Sequence, residues 1–139
     1  MTYTPKRRET MPIPVEPAVL TINVKNSASA TDIPIYVPWK HCQLSYVYAV
    51  VTTAIDGTGN MVVKFELNAA GGTRMYNLTA AGSAAVGTVY DATVATISAC
   101  ENLSSDNSSR DAVNIEVDGS STGTGALQIY LYFEVWDGE

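Results

Sequence analysis

From Ala18 the chain alternates apolar and polar residues with a period of two. Ala18, Leu20, Ile22 and Val24 share one face, and Val19, Thr21, Asn23 and Lys25 the other, which is the pattern of a strand with one buried side. Residues 26–32 are small and polar and predict a loop. Residues 33–37 form a short apolar run broken by Pro34, which has no N–H to give a neighbour and so confines the strand to a sheet edge. Pro38-Trp39 turns the chain. Residues 42–55 are a long run rich in Tyr and Val, predicting a strand buried on both faces for part of its length.

Residues 56–60 (DGTGN) are a turn by composition, with glycine supplying positive φ. Beyond it Met61, Val63, Phe65 and Leu67 face one way, and Val62, Lys64, Glu66 and Asn68 the solvent side, completing a hairpin. Residues 70–72 turn into a strand over 73–78. Residues 79–85 are small-residue loop. Residues 86–99 fit either two short strands or a helical turn around 91–100, and 101–111 (ENLSSDNSSRD) are a surface loop. Val113, Ile115 and Val117 then alternate with Asn114, Glu116 and Asp118, and residues 119–125 (GSSTGTG) make a hairpin tip. The last strand has the strongest pattern: Leu127, Ile129, Leu131, Phe133 and Val135 on one face, Gln128, Tyr130, Tyr132, Glu134 and Trp136 on the other. Strands of this number and spacing, with no helix repeated between them, predict an all-β, antiparallel β-sandwich of jelly-roll type.

Residues 1–17 stand apart from this pattern. Pro5, Pro12, Pro14 and Pro17 bias the segment toward extended conformations and keep it out of a sheet interior. The organisation expected is therefore an extended arm, 1–17, followed by a sandwich domain, 18–139. An arm with so little core of its own becomes ordered only when something else holds it.

At 139 residues the chain has one-domain length. Charged residues make up only 16%, against about 25% in a typical soluble domain, which leaves neutral surface for contact with other chains. A net charge of −6 argues against nucleic acid as partner, because phosphate neutralisation needs clustered Lys and Arg. The charge is also uneven: Lys6, Arg7 and Arg8 face Glu9 and Glu16 within the arm, and the body is more acidic than the whole. Such an arm suits an acidic surface, including that of a neighbouring copy. The basic residues are followed by no apolar signal region, and no run of 18 apolar residues exists to span a bilayer. The expectation is synthesis in a reducing cytoplasm with Cys42 and Cys100 as free thiols.

Reactive chemistry is hard to assemble from these residues. His41 is the only histidine, and as a strand neighbour of Cys42 it points to the opposite face, unsuited to share a proton with it. Asp106 and Asp111 flank a Ser/Asn loop with oxygen ligands for Ca²⁺, but their spacing matches no EF-hand. Glu66, Glu116 and Glu134 read as the charged side of amphipathic strands, not as paired catalytic carboxylates. The expectation is no catalytic residue, no metal and no cofactor. Aromatic stripes are the more informative feature: Tyr46 and Tyr48 share one face of a strand, and Tyr130, Tyr132 and Trp136 one face of another. With Trp39, the last three are the candidate interface aromatics, since the opposite face of their strand already supplies five core residues.

The C-terminal third, Asp111-Ala112-Val113-Asn114-Ile115-Glu116-Val117, then a Gly/Ser/Thr tip from Asp118 to Ala126, then a long strand ending Phe133-Glu134-Val135, resembles the last strands of tailed-bacteriophage capsid decoration (cement) proteins. The resemblance is one of style across about 120 residues and implies a jelly-roll protein on the capsid exterior. Such a protein acts commonly as a homotrimer that staples neighbouring major capsid protein subunits, with no nucleic acid or membrane partner. The arm residues Lys6, Arg7, Arg8, Met11, Ile13 and Val15 are then the expected capsid or subunit contacts. The alternatives are a carbohydrate- or receptor-binding module of a virion fibre, using exposed aromatics, and an adaptor that bridges capsid to a longer appendage.

Overall fold

The computed structural model describes residues 16–27, 29–57, 59–106, 110–118 and 123–136. The arm residues Lys6, Arg7, Arg8, Met11, Ile13 and Val15 lie outside the described residues. The strands are β1 (Glu16–Lys25), β2 (Thr31–Tyr36), β3 (Cys42–Asp56), β4 (Met61–Leu67), β5 (Arg74–Ala80), β6 (Val89–Asp91), β7 (Thr93–Val94), β8 (Ala112–Val117) and β9 (Thr124–Val135), with one short helix, α1 (Ile97–Cys100). No helix among the described residues is long and apolar enough to cross a membrane.

Two antiparallel sheets face each other, ordered β1-β9-β3-β6 and β2-β8-β4-β5-β7. The first strand pairs with the last, the second with β8 and the third with β6, around the central β4–β5 hairpin. This nesting is what a single long hairpin yields when it is rolled over into two layers, and it defines a jelly roll.

The alternation read from the sequence decides which side of each strand enters the core. β1 and β9 pair over ten residues without a break, setting Leu20 against Leu131, Ile22 against Ile129 and Val24 against Leu127. Leu127, Ile129, Leu131 and Phe133 are fully buried, as are Phe65, Val63 and Ile115 from the facing sheet. Truncating a ring such as that of Phe133 in a core of this kind costs about 3–5 kcal/mol. Pro34 sits in β2, an edge strand, opposite Asn114.

Several segments differ from the sequence expectation. β3 and β4, read as the two arms of a hairpin, do not pair, and neither do β8 and β9 on either side of the expected tip at 119–125; in each case the two strands belong to opposite layers of the roll. β1 begins at Glu16, so Pro17 already pairs with Glu134; edge position makes its missing N–H harmless. β3 is buried on one face only, with Val47, Ala49 and Val51 inside and Tyr46 exposed. Bulges near Leu44/Tyr46, Val51/Thr53 and Thr53/Asp56 let this 15-residue strand follow the curve of the sandwich. Residues 86–99 contain both alternatives, β6 and β7 as short strands and α1 as a single helical turn.

Candidate functional site

The strand register gathers the tyrosines onto one surface. β9 lies between β1 and β3 and turns Leu127, Ile129, Leu131 and Phe133 inward, so Tyr130 and Tyr132 point away from the core. Tyr132 is opposite Tyr46 on β3 and Val19 on β1; Tyr130 is opposite Tyr48 and Thr21. The next row brings Val50 beside Val89 of β6 and Gln128 of β9. The two stripes that the sequence places on separate strands are thus one four-tyrosine face of the β1-β9-β3-β6 sheet.

Its rings are partly fixed by one another. Tyr48 and Tyr130 stack with centroids 4.6 Å apart and planes 6° apart, and Tyr46 leans on Tyr48 at 5.5 Å. Tyr46 Oη donates to Asp91 Oδ1. That hydrogen bond, with desolvation and the carboxylate's charge, raises the Tyr46 phenol above its ordinary value. Tyr130 Oη donates to Gln128 Oε1 at 3.2 Å. Around these rings Val19 is 42%, Tyr46 43%, Tyr132 39% and Val89 57% exposed, an apolar grouping that water solvates poorly. Asp91, the acid in these rows, is already engaged by Tyr46. Val19, Val89 and Asp91 were not legible as members of the face, because they join it only through long-range pairing, Val19 by β1 with β9 and the other two by β6 with β3.

The other candidate aromatics lie elsewhere. Trp39 packs against the core, its ring 5.1 Å from that of Phe133. Trp136 follows β9, half-buried, with its backbone N–H donating to His41 O.

Acidic residues assemble on the opposite sheet. Oxygens of Asp32, Glu66 and Glu116 come within 4.8 Å of one another on β2, β4 and β8. Glu66 is only 3% exposed, which corrects its reading as a solvent-side charge. The β4–β5 turn folds over it, and Gly71 N–H donates to its Oε1 at 3.3 Å. Asn114, also 3% exposed, donates its Nδ2 to Glu66 Oε1 at 3.2 Å and to Asp32 Oδ1 at 2.9 Å. Arg74 Nε lies 4.0 Å from Glu66 Oε2. Oxygen donors of this kind can hold a hard cation, but here amide and guanidinium donors already face Asp32 and Glu66, so these two carboxylates and Asn114 read as a polar tie across three strands.

Asp111 has a similar internal role: Oδ2 accepts from Ser104 N–H at 2.8 Å and Oδ1 from Asn68 Nδ2 at 3.2 Å, closing its own loop. Cys42 and Cys100 are both buried, while His41 is exposed. Burial first, and the Glu101 carboxylate second, push the Cys100 thiol up to about 11. That leaves it a poor nucleophile at neutral pH.

No protein-family model matches the chain, and no curated protein matches it. Among solved structures it is similar to a chain of the disulfide-linked pili that form Bacillus endospore appendages, with 12% identity, 97% of this chain and 100% of that one covered, and a TM-score of 0.50. A chain of Desmodium yellow mottle tymovirus matches at 14% identity over 99% of this chain and 94% of its own, with a TM-score of 0.45. One of infectious bursal disease virus matches at 12% identity over 88% and 41%, with a TM-score of 0.29. The likeness to the appendage chain is one of fold alone, and the two virus chains, at lower scores, add nothing to it.

Proposed function

We propose that this chain is a structural virion protein. It seats on the outer surface of a phage capsid, as a homotrimer, and cements neighbouring major capsid protein subunits. The observation that carries this reading is the tyrosine–valine face of the β1-β9-β3-β6 sheet. It is apolar, nearly free of charge and stiffened by ring stacking, so covering it releases water at little cost in side-chain entropy. Tyrosine suits such a contact because the ring is buried while the hydroxyl keeps a polar partner.

The size of the face also has a consequence. Four strands about 4.8 Å apart and three rows of side chains give a footprint of roughly 400 Å². A stable interface buries about 800 Å² per partner. The face alone therefore makes a modest contact, and firm attachment comes from several copies acting together, or from the arm adding its own area. A jelly roll with 16% charged residues supports the same reading.

The test is to add the purified chain to capsids assembled without it. Co-sedimentation and a higher melting temperature of the particles are expected; a chain that neither sediments nor shifts their melting refutes the reading. The competing use of the face is stacking on a sugar, favoured by the outward rings of Tyr46 and Tyr132. A glycan array with specific, competable binding lost in Tyr132→Ala would select that reading instead.

A further inference from the structure

An open groove of about 290 Å³ lies between the start of β3 and the β7–α1 segment, with Leu44, Tyr76, Val94 and Ile97 as apolar lining and Glu101 and Glu134 as acidic lining. Val94 is 42% and Ile97 62% exposed. On that side β6 meets β3 only across Tyr48–Val50, Ala92 N–H donates to Val47 O, and Cys42 pairs with Leu103. Among the described residues, no strand therefore flanks residues 43–46 where they border the groove. An apolar slot beside a bare strand edge is shaped for an extended segment.

We propose that this groove receives residues 6–15 of a second copy of the chain. Met11, Ile13 and Val15 fill the apolar slot, and Lys6, Arg7 and Arg8 lie toward Glu101. The proposal rests on the reading of the chain as an assembly subunit and names where its copies join. Three features select this occupant. Met11, Ile13 and Val15 recur at every second position, spaced by Pro12 and Pro14, whose fixed φ biases the backbone toward extended conformations. Lys6, Arg7 and Arg8 against Glu9 leave residues 1–15 at +2, while the rest of the chain carries −8 of the net −6, so the arm is drawn to the body of any copy.

The third feature is where the arm enters the fold, which favours a sister's groove over its own. β1 and β3 are both antiparallel to β9 and so run the same way, with Glu16 and Cys42 both opposite Val135. β1 therefore points its N-terminal end past the end of the sandwich, while the groove of the same copy lies back along residues 43–46, about 10 Å to the side. Returning there requires an immediate reversal where Pro14 and Pro17 favour extended backbone. Continuing forward, fifteen residues reach up to roughly 45 Å, enough to meet a neighbour.

Sedimentation velocity on full-length variants tests this. The unaltered chain should run as an oligomer well above its 14.8 kDa monomer mass. Ile97→Asp, which damages the groove, and Ile13→Asp, which damages the arm, should each run as monomers with unchanged far-ultraviolet circular dichroism. Mixing the two variants should restore a 1:1 complex, since one brings an intact arm and the other an intact groove. A monomeric unaltered chain, an oligomer that survives either substitution, or a mixture that stays monomeric overturns the proposal. A monomeric chain that still sediments with capsids would leave capsid attachment standing, while this proposal, and the homotrimer with it, falls.

Discussion

Replacing Asn114 with alanine removes one amide from the centre of the β2-β8-β4 surface and two hydrogen bonds with it. Asn114 Nδ2 holds buried Glu66 at 3.2 Å and partly exposed Asp32 at 2.9 Å. After the change, Glu66 Oε1 keeps only the Gly71 N–H at 3.3 Å, and Arg74 Nε stands 4.0 Å from Oε2. A hydrogen bond to a charged group contributes about 1.5–3 kcal/mol, and the bond to Asp32, nearer water, adds less than about 1 kcal/mol. The expected loss is about 2–4 kcal/mol, or about 6–15 °C in Tm for a chain of this size. Urea unfolding at pH 7 reads it as a lower midpoint with an unchanged m-value. Asp32→Ala, which removes only the exposed partner, should cost under about 1 kcal/mol. An Asn114→Ala loss below about 0.5 kcal/mol would refute the claim that this amide ties three strands together.

Other consequences follow from particular residues. With its thiol moved from an ordinary 9.0 to about 11, Cys100 stays protonated in the folded chain while the unfolded chain ionises. Its stabilising contribution is therefore complete below about pH 9 and declines as pH rises toward 11; the fall in urea midpoint from pH 8.5 to 10.5 should be shallower in Cys100→Ala. Thiol titration of the native protein at pH 8 should find both cysteines slow, and two equivalents after unfolding. Gly72→Ala places a Cβ 2.1 Å from Leu67 O, so the β4–β5 turn must shift; a loss of about 2–4 kcal/mol is expected by thermal melting, and a neutral result would contradict the turn geometry. Trp39→Ala should cost about 3–5 kcal/mol through its contact with Phe133 yet leave capsid binding of the folded fraction intact, whereas Tyr132→Ala should weaken binding tenfold or more with stability within about 1 kcal/mol.

The sequence carries the sheet faces well because burial on one side imposes a strict period of two. β9 is the clearest case, every second residue from Leu127 to Val135 being buried. What it does not carry is which strands lie side by side. Tyr46 and Tyr132 each read as outward-facing, but their meeting depends on β3 pairing with β9 across more than eighty residues. Glu66 shows the converse limit. Its position in an alternating strand assigns it to solvent, and only the fold of the β4–β5 turn and the register with Asn114 bury it. Trp39, outside any periodic segment, offers no pattern from which its packing on Phe133 can be read.

Hydroxyl-radical footprinting of the chain, free and bound to capsids, measures the central claim directly. Tyr46 and Tyr132 should be oxidised in the free protein and protected in the complex, while Tyr36, 56% exposed on the other sheet, stays reactive in both. Protection of Tyr36 with Tyr46 and Tyr132 unchanged would place the contact on the opposite sheet and contradict the account.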